Sequence, residues 1–182
     1  MNEAARASLY DQRYDQLSAL TAWSMDGRLA IRNKKEGGSG HFNWRQNSAD
    51  SRMDFHGALG RGAWKLTANE SGAELQLADG TVHSADSVDQ LVRVRVGWEI
   101  PVDSLSWWVR GLAAPGEIDK RKIDEQGNLS ELVQDGWVIE YGKYKDFEGV
   151  NLPARLTARQ DDWKVKLAIR DWVLAEEIDV NE

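Results

Sequence analysis

The sequence predicts a mainly β fold, with about eleven antiparallel strands and about three short helices. Apolar and polar residues alternate through most of the chain, which is the period of a strand with one buried face. Turn sequences rich in glycine, asparagine and aspartate separate these alternating runs, as they do in consecutive hairpins. Three other segments repeat apolar residues at intervals of three and four, which indicates amphipathic helices.

The chain begins with a predicted helix over residues 3 to about 20, where Leu9, Leu17 and Leu20 belong to an apolar series at helical spacing. The period then changes to two in WSMDGRLAIR, residues 23–32. Apolar side chains fall on one face of this segment and charged side chains on the other, which predicts the first strand.

Four further stripes at alternate positions predict the strands that follow. The stripes are Phe42 with Trp44, Met53 with Phe55, Trp64 with Leu66, and Leu75 with Leu77. The turn sequences EGGSG at 36–40, NSAD at 47–50, NESG at 69–72 and ADG at 78–80 separate them. Because each turn is short, neighbouring strands are predicted to pair as antiparallel hairpins.

Two helices are predicted in the middle of the chain. Residues 85–97 offer Asp86 as an N-cap and end at Gly97, although LVRVRV within them also alternates as a strand does. Residues 101–112 offer Asp103 as a cap and place apolar side chains at i, i+3, i+4 and i+7.

Strands return in the second half. Residues 118–124 and 128–134 flank the turn DEQGN and alternate weakly, whereas the last three stripes are clear. These stripes are Trp137, Ile139 and Tyr141; Leu152, Ala154, Leu156 and Ala158; and Trp163, Val165, Leu167 and Ile169. With no linker to divide it, the chain is predicted to be one domain over residues 1–182, ending in an acidic tail at 175–182.

The stripes alone leave two architectures open. The strands could form a sandwich, or the successive hairpins could curl into a barrel or an open half-barrel. In a half-barrel the apolar faces would line the concave side, and three short helices look too small to fill it. The excess apolar lining then suggests a cavity for an apolar ligand, while the alternative is that these side chains simply pack together as a core.

Composition excludes several classes of function. A net charge of −7 argues against a nucleic-acid-binding protein, and the chain has no cysteine for disulfides, thiol catalysis or zinc. The three histidines, His41, His56 and His83, lack metal-ligand spacing, and neither a GxSxG elbow nor a P-loop occurs. The sequence therefore predicts no metal, no cofactor and no enzymatic activity.

Several short motifs resemble one family. HFNWRQ, GALG, WEIPVDSLSWWVRGL, GWVIEYGKY and RDWVL occur in an order and spacing similar to those of the LolB family of outer-membrane lipoprotein receptors, over roughly residues 22–174. The resemblance implies an open, incomplete β-barrel with a helical lid over a hydrophobic cavity. It also implies a monomer at the periplasmic face of the outer membrane. Such a receptor takes acylated lipoproteins from the periplasmic carrier LolA and inserts them among the outer-membrane phospholipids without a cofactor.

The resemblance also implies site residues. Acyl-chain contacts are expected from Phe42, Trp44, Phe55, Trp64, Trp108, Leu112, Trp137 and Tyr141, with Trp172 in a structural role. Leu59 in GALG matches the exposed leucine of a protruding loop, and Arg61 could meet lipid phosphates beside it. The family has proline before that leucine, whereas this chain has Ala58.

The resemblance is incomplete at one point. The family is lipid-anchored through an N-terminal cysteine that follows a signal peptide, and this sequence contains neither, so an anchor-free form is expected. Two rival interpretations remain, a soluble carrier or sensor of lipophilic molecules, and a structural interaction module with a filled core. Glu99 and Asp103, near the expected lid, are candidate carrier contacts.

Overall fold

The structure, a computed structural model, describes residues 1–57 and 62–181 and contains one antiparallel sheet of eleven strands. The strands, numbered β1 to β11 in chain order, are Ala22–Arg32, Gly37–Asn47, Asp50–Gly57, Trp64–Asn69, Gly72–Leu77, Val82–Ala85, Lys120–Ile123, Leu129–Gln134, Trp137–Phe147, Val150–Gln160 and Trp163–Ala175. The sheet order is β6-β5-β4-β3-β2-β1-β11-β10-β9-β8-β7. Because all strands belong to one sheet, the sandwich interpretation is wrong.

The sheet consists of two runs of hairpins that meet where β1 pairs with β11. The outermost strands, β6 and β7, do not pair with each other, so the sheet stays open. The predicted incomplete barrel is thereby confirmed. At Asp26 and Gly27 the register of β1 against β11 shifts, and a side chain on Gly27 would collide with the carbonyl oxygen of Ala168. A bulge of this kind increases the local twist and helps the sheet to curl.

Three helical segments cover the concave face, as predicted. Helix α1 spans Glu3–Ser18, α2 spans Val88–Leu91 and continues as a π-helical turn over Val92–Val96, and α3 spans Val102–Trp108. Residues 88–112 are called the lid below. The helical interpretation of LVRVRV was therefore right, with a wider turn than an α-helix provides.

Both predicted helix caps are wrong. Ser87, and not Asp86, caps α2 by accepting a hydrogen bond from the backbone N–H of Gln90. Asp103 lies inside the first turn of α3, and the N–H of Val102 instead donates to Asp89 at 2.6 Å. A residue of the preceding helix thus satisfies a free N–H at the start of α3, where a local side chain was expected.

The C-terminal part of the lid is fixed to the sheet by buried hydrogen bonds. The side-chain oxygen of Gln134 accepts from the Trp108 indole at 3.0 Å and from the Ala114 N–H at 2.9 Å, and its amide group donates to the Ala114 carbonyl at 2.7 Å. Tyr141 donates to the Trp108 carbonyl at 2.8 Å. These four residues are called the lid anchor. Gln134 is fully buried, so water cannot hydrogen-bond to its side chain and these protein groups are its partners instead.

A second tie joins the lid to α1. The buried guanidinium of Arg110 donates to the carbonyls of Leu17 at 3.2 Å and Ser106 at 2.9 Å, and it stacks over Trp107 and Trp23. Burial lowers the pKa of Arg110 to about 10, which still leaves it charged at neutral pH. The two ties hold the same end of the lid from both sides.

Replacing Gln134 with leucine should destabilise the fold, because the Trp108 indole and both backbone groups of Ala114 would lose buried partners. We expect the free energy of unfolding to fall by on the order of 3 kcal/mol in urea denaturation. The control is Gln76→Leu at an exposed position of β5, expected to change stability by no more than about 0.5 kcal/mol. Equal losses in the two variants would refute the anchor.

Candidate functional site

All eight residues expected to contact acyl chains are buried on the concave side, where they form two groups. The first group lies on β2, β3 and β4. Phe55 stacks on Trp64 at 5.7 Å between ring centroids, and Phe42 meets Trp64 edge-on at 6.4 Å and Trp44 at 6.2 Å. Cross-strand register produces this cluster, because Phe55 pairs with Phe42 on one side and with Trp64 on the other.

The second group lies at the lid anchor, in the other half of the sheet. Trp108 and Leu112 come from the lid, and Trp137 and Tyr141 from β9. Burial raises the pKa of Tyr141 well above its ordinary value, which keeps the hydroxyl protonated as the donor to Trp108. Trp172, expected to be structural, donates its indole N–H to the Pro153 carbonyl at 3.0 Å.

The apolar space beneath the middle of the lid is nearly filled. A void of about 10 Å³ remains between the lid and the sheet, close to the smallest volume that holds one water. Eleven apolar residues surround it, including Phe42, Trp64, Val92, Trp98 and Leu105. In this conformation the tryptophans and leucines pack against one another, and the void could not accept an acyl chain.

A larger cleft opens at one end of the sheet, next to the first aromatic group. Its volume is about 490 Å³. Its apolar lining comes from the lid and from the ends of five strands and consists of Ile31, Phe55, Ala63, Trp64, Leu77, Ala78, Val96, Trp98 and Trp163. Exposed charges are provided by Glu36, Asp79 and Arg95. An apolar cleft with a few polar groups is typical of a site for a lipophilic ligand.

Trp98 is the residue that sequence analysis missed. It stands edge-on to Trp64 at 5.2 Å and to Phe55 at 5.6 Å, and it lines both the cleft and the void. The signal was present, because Trp98 follows Gly97, which has the left-handed conformation that ends helices. A large apolar residue at that position commonly packs back onto its own helix.

The two ends of the lid are attached differently. Within the described ranges, every hydrogen bond made by residues 88–101 stays inside the lid, as between Val102 and Asp89, or goes to Ser87 immediately before it, and none reaches a strand. Buried Leu91, Val92 and Ile100 hold this part on the sheet by apolar packing. The end of the lid beside the cleft is therefore held on the sheet by apolar packing, whereas the far end is held by the hydrogen bonds of the lid anchor.

Of the remaining predicted residues, two lie outside the described residues and two lie on the lid. Leu59 and Arg61 lie outside the described residues, in the connection between Gly57 of β3 and Gly62, which itself lines the cleft. Glu99 and Asp103 are exposed on the lid. Partial desolvation and the neighbouring Asp89 raise the pKa of the Asp103 carboxyl.

Neither a metal centre nor a membrane-spanning helix is found in the described part. Across residues 1–57 and 62–181, no three His, Cys, Asp or Glu side chains converge as metal ligands would. The helices in the same ranges are too short or too polar to cross a bilayer.

Comparison with known proteins gives a consistent result. Residues 21–172 match the family described as outer membrane lipoprotein LolB. The outer-membrane lipoprotein LolB of Pseudomonas aeruginosa PAO1 is 39% identical over 166 residues, covering 91% of this chain and 81% of that protein. The one from Stutzerimonas stutzeri is 37% identical over 163 residues, covering 90% and 79%.

Solved structures resemble this fold. The crystal structure of a LolA superfamily protein from Nitrosomonas europaea superimposes with a TM-score of 0.58, covering 93% of both chains. The sequence identity is 8%, so this likeness concerns the fold alone.

An acidic residue in place of Trp98 should weaken apolar binding in the cleft, because a carboxylate is costly to bury against Phe55 and Trp64. We expect Trp98→Asp to weaken binding of a fluorescent fatty-acid probe by more than about tenfold. Val94→Asp is the matched control, since Val94 is 63% exposed on the same lid segment. Unchanged probe affinity in Trp98→Asp would remove the cleft as the apolar site.

Proposed function

Because the chain belongs to the LolB family, we propose that it takes acylated lipoproteins from a LolA-like periplasmic carrier and inserts them into the outer membrane. Its relatives are named outer-membrane lipoproteins, and localisation of lipoproteins at the outer membrane is the function class that the family and the fold support. We further propose that it acts as a monomer at the periplasmic face of that membrane.

The observation that carries the proposal is the apolar cleft under a lid that is fixed at only one end. A chain of about sixteen carbons released into water would cost on the order of 12 kcal/mol, at about 0.8 kcal/mol per CH₂. A handover between two apolar sites avoids that exposure. Transfer then needs no catalysis, only a receiver that holds the chain more tightly than the donor does.

Acyl chains would enter where Phe55, Trp64 and Trp98 line the cleft. Movement of residues 88–101 away from the sheet would extend the cleft into the void beneath the lid, toward Phe42 and Trp44. The deep group of Trp108, Leu112, Trp137 and Tyr141 would be reached last, because Trp108 and Tyr141 belong to the lid anchor. The expected acyl contacts thus divide into an entrance group and a deep group.

Leu59 and Arg61 are proposed to contact the membrane. An apolar side chain can insert at the bilayer interface while a neighbouring cation meets lipid phosphate. The described residues on either side, Gly57 and Gly62, lie at the cleft end of the sheet, so this contact would bring the cleft close to the receiving lipid.

The experiment is a reconstituted transfer assay. A purified lipoprotein bound to its LolA-like carrier is mixed with this protein, and vesicles are then added. Cargo should move first to this protein and then into the vesicles. Cargo that moves to the protein but never into vesicles would favour a plain lipid carrier, and failure to bind a fatty-acid probe would favour a structural module with a filled core.

Leu59→Glu should block the second step alone, because a carboxylate cannot enter the interface. We expect cargo uptake within about twofold of the unmodified protein and insertion lowered by more than about tenfold. Val82→Glu is the control, since Val82 is an exposed apolar residue on edge strand β6. Normal insertion by Leu59→Glu would exclude this connection from membrane contact.

A further inference from the structure

The outer face of the sheet is strongly basic over β1, β10 and β11, although the chain carries a net charge of −7. Exposed or half-buried cations there are Arg28, Arg32, Arg155, Arg159, Lys164, Lys166 and Arg170. Within the described residues, Arg159 pairs with Glu140, and Arg170 with Asp26 and Asp171. The other five cations form no ion pair in those ranges.

Like charges stand directly opposite one another in this face. Lys164 is the register partner of Arg32 on one side and of Arg159 on the other. Such pairing destabilises a sheet. Partial desolvation and the neighbouring cations Lys166, Arg159 and Arg32 lower the pKa of Lys164. Like charges gathered in this way create a positive potential that attracts anions from outside the chain.

A surface groove lies within this basic face. Its volume is about 430 Å³, and its lining is Ala30, Ile31, Arg32, Gly37, Gly38, Ser39, Lys164 and Lys166. Three cations and one hydroxyl therefore surround a space without a carboxylate in its lining. That chemistry suits a phosphate group.

The groove adjoins the apolar cleft. The groove and the cleft lie on opposite sides of the β1–β2 hairpin, and both are lined by Ile31, Gly37 and Gly38. The two glycines carry no side chain, so only the hairpin backbone separates basic groove from apolar cleft there. Trp163 lines the cleft, while the next residue, Lys164, lines the groove. An amphiphile could place its charged head in one and its chain in the other.

We propose that groove and cleft together bind one anionic phospholipid of the receiving membrane, with its phosphate held by Arg32, Lys164 and Lys166 and an acyl chain in the cleft. The inference rests on the proposed insertion function, because a protein that delivers acylated cargo has to meet the lipid that receives it. The bound lipid would orient the cleft toward the bilayer and occupy it until cargo arrives.

The test uses the whole chain, without cargo or carrier, and two kinds of vesicle. One contains phosphatidylcholine alone, and the other also contains phosphatidylglycerol with brominated acyl chains, which quench tryptophan fluorescence on contact. The unmodified protein should sediment with the second kind and lose fluorescence from Trp64, Trp98 and Trp163 in the cleft. It should bind the first kind weakly and without quenching.

Three variants separate a built site from general charge attraction. Lys164→Gln with Lys166→Gln should weaken binding by about tenfold. Lys143→Gln with Lys145→Gln, at two exposed positions of β9, changes the net charge equally and should have little effect. Gly38→Phe leaves the charge unchanged and meets no protein atom within 4 Å of its Cβ, so it should fold while abolishing quenching.

The outcomes are decisive in both directions. Equal losses in the two lysine pairs would reduce the basic face to diffuse attraction and overturn the inference, as would full quenching in Gly38→Phe. Inorganic phosphate is also titrated into the protein with and without phosphatidylglycerol vesicles. If it displaces the vesicles with the same affinity that it has for the protein alone, the groove binds a free anion instead. Because no cargo is present, failed lipoprotein transfer with intact groove-dependent quenching would reject the proposed function and leave this inference standing.

Discussion

The structure depends on how the concave face of an open sheet is covered. Eleven strands leave one long apolar face, and a sheet that does not close cannot bury that face against itself. The lid and α1 cover it, but short amphipathic helices slide easily over apolar surface, because dispersion contacts have no direction. The hydrogen bonds of Gln134 are directional and therefore fix the position of the lid, which apolar contacts alone do not. The Gln134 amide satisfies both backbone groups of Ala114 and the indole of Trp108, which fixes one end of the lid at one place.

The anchor explains why the tryptophans differ in role. Trp108 and Trp172 have their indole N–H groups bonded to Gln134 and to the Pro153 carbonyl, so displacing either ring would leave a buried donor unsatisfied. Among the described residues, the Trp98 indole makes no hydrogen bond and packs edge-on to Phe55 and Trp64. Within the lid, Trp108 thus marks the fixed end and Trp98 the movable end.

Sequence periodicity predicted the strands because successive residues of a strand face the core and the solvent in turn. Apolar and polar residues therefore alternate along the sequence. It failed where a residue depends on a distant partner. Asp89 satisfies the start of α3 from another helix, so Asp103 was wrongly taken as its cap. Gln134 appeared as one polar residue in a weak strand, since Ala114 is 20 positions away. How completely the concave side is filled depends on side chains from many distant segments. A local sequence pattern therefore cannot predict it.

The near-absence of empty space beneath the middle of the lid is compatible with a lipid site. A void of about 10 Å³ means that an acyl chain must displace side chains that already pack together. Replacing Leu91, Val92 or Trp98 on the sheet by hydrocarbon exchanges one apolar contact for another, so the free-energy difference between closed and filled states is small. An acyl chain has no group that could replace the bonds of Gln134. Opening should therefore begin at the cleft and stop at the lid anchor, and the volume available to acyl chains is set by the distance between those two points.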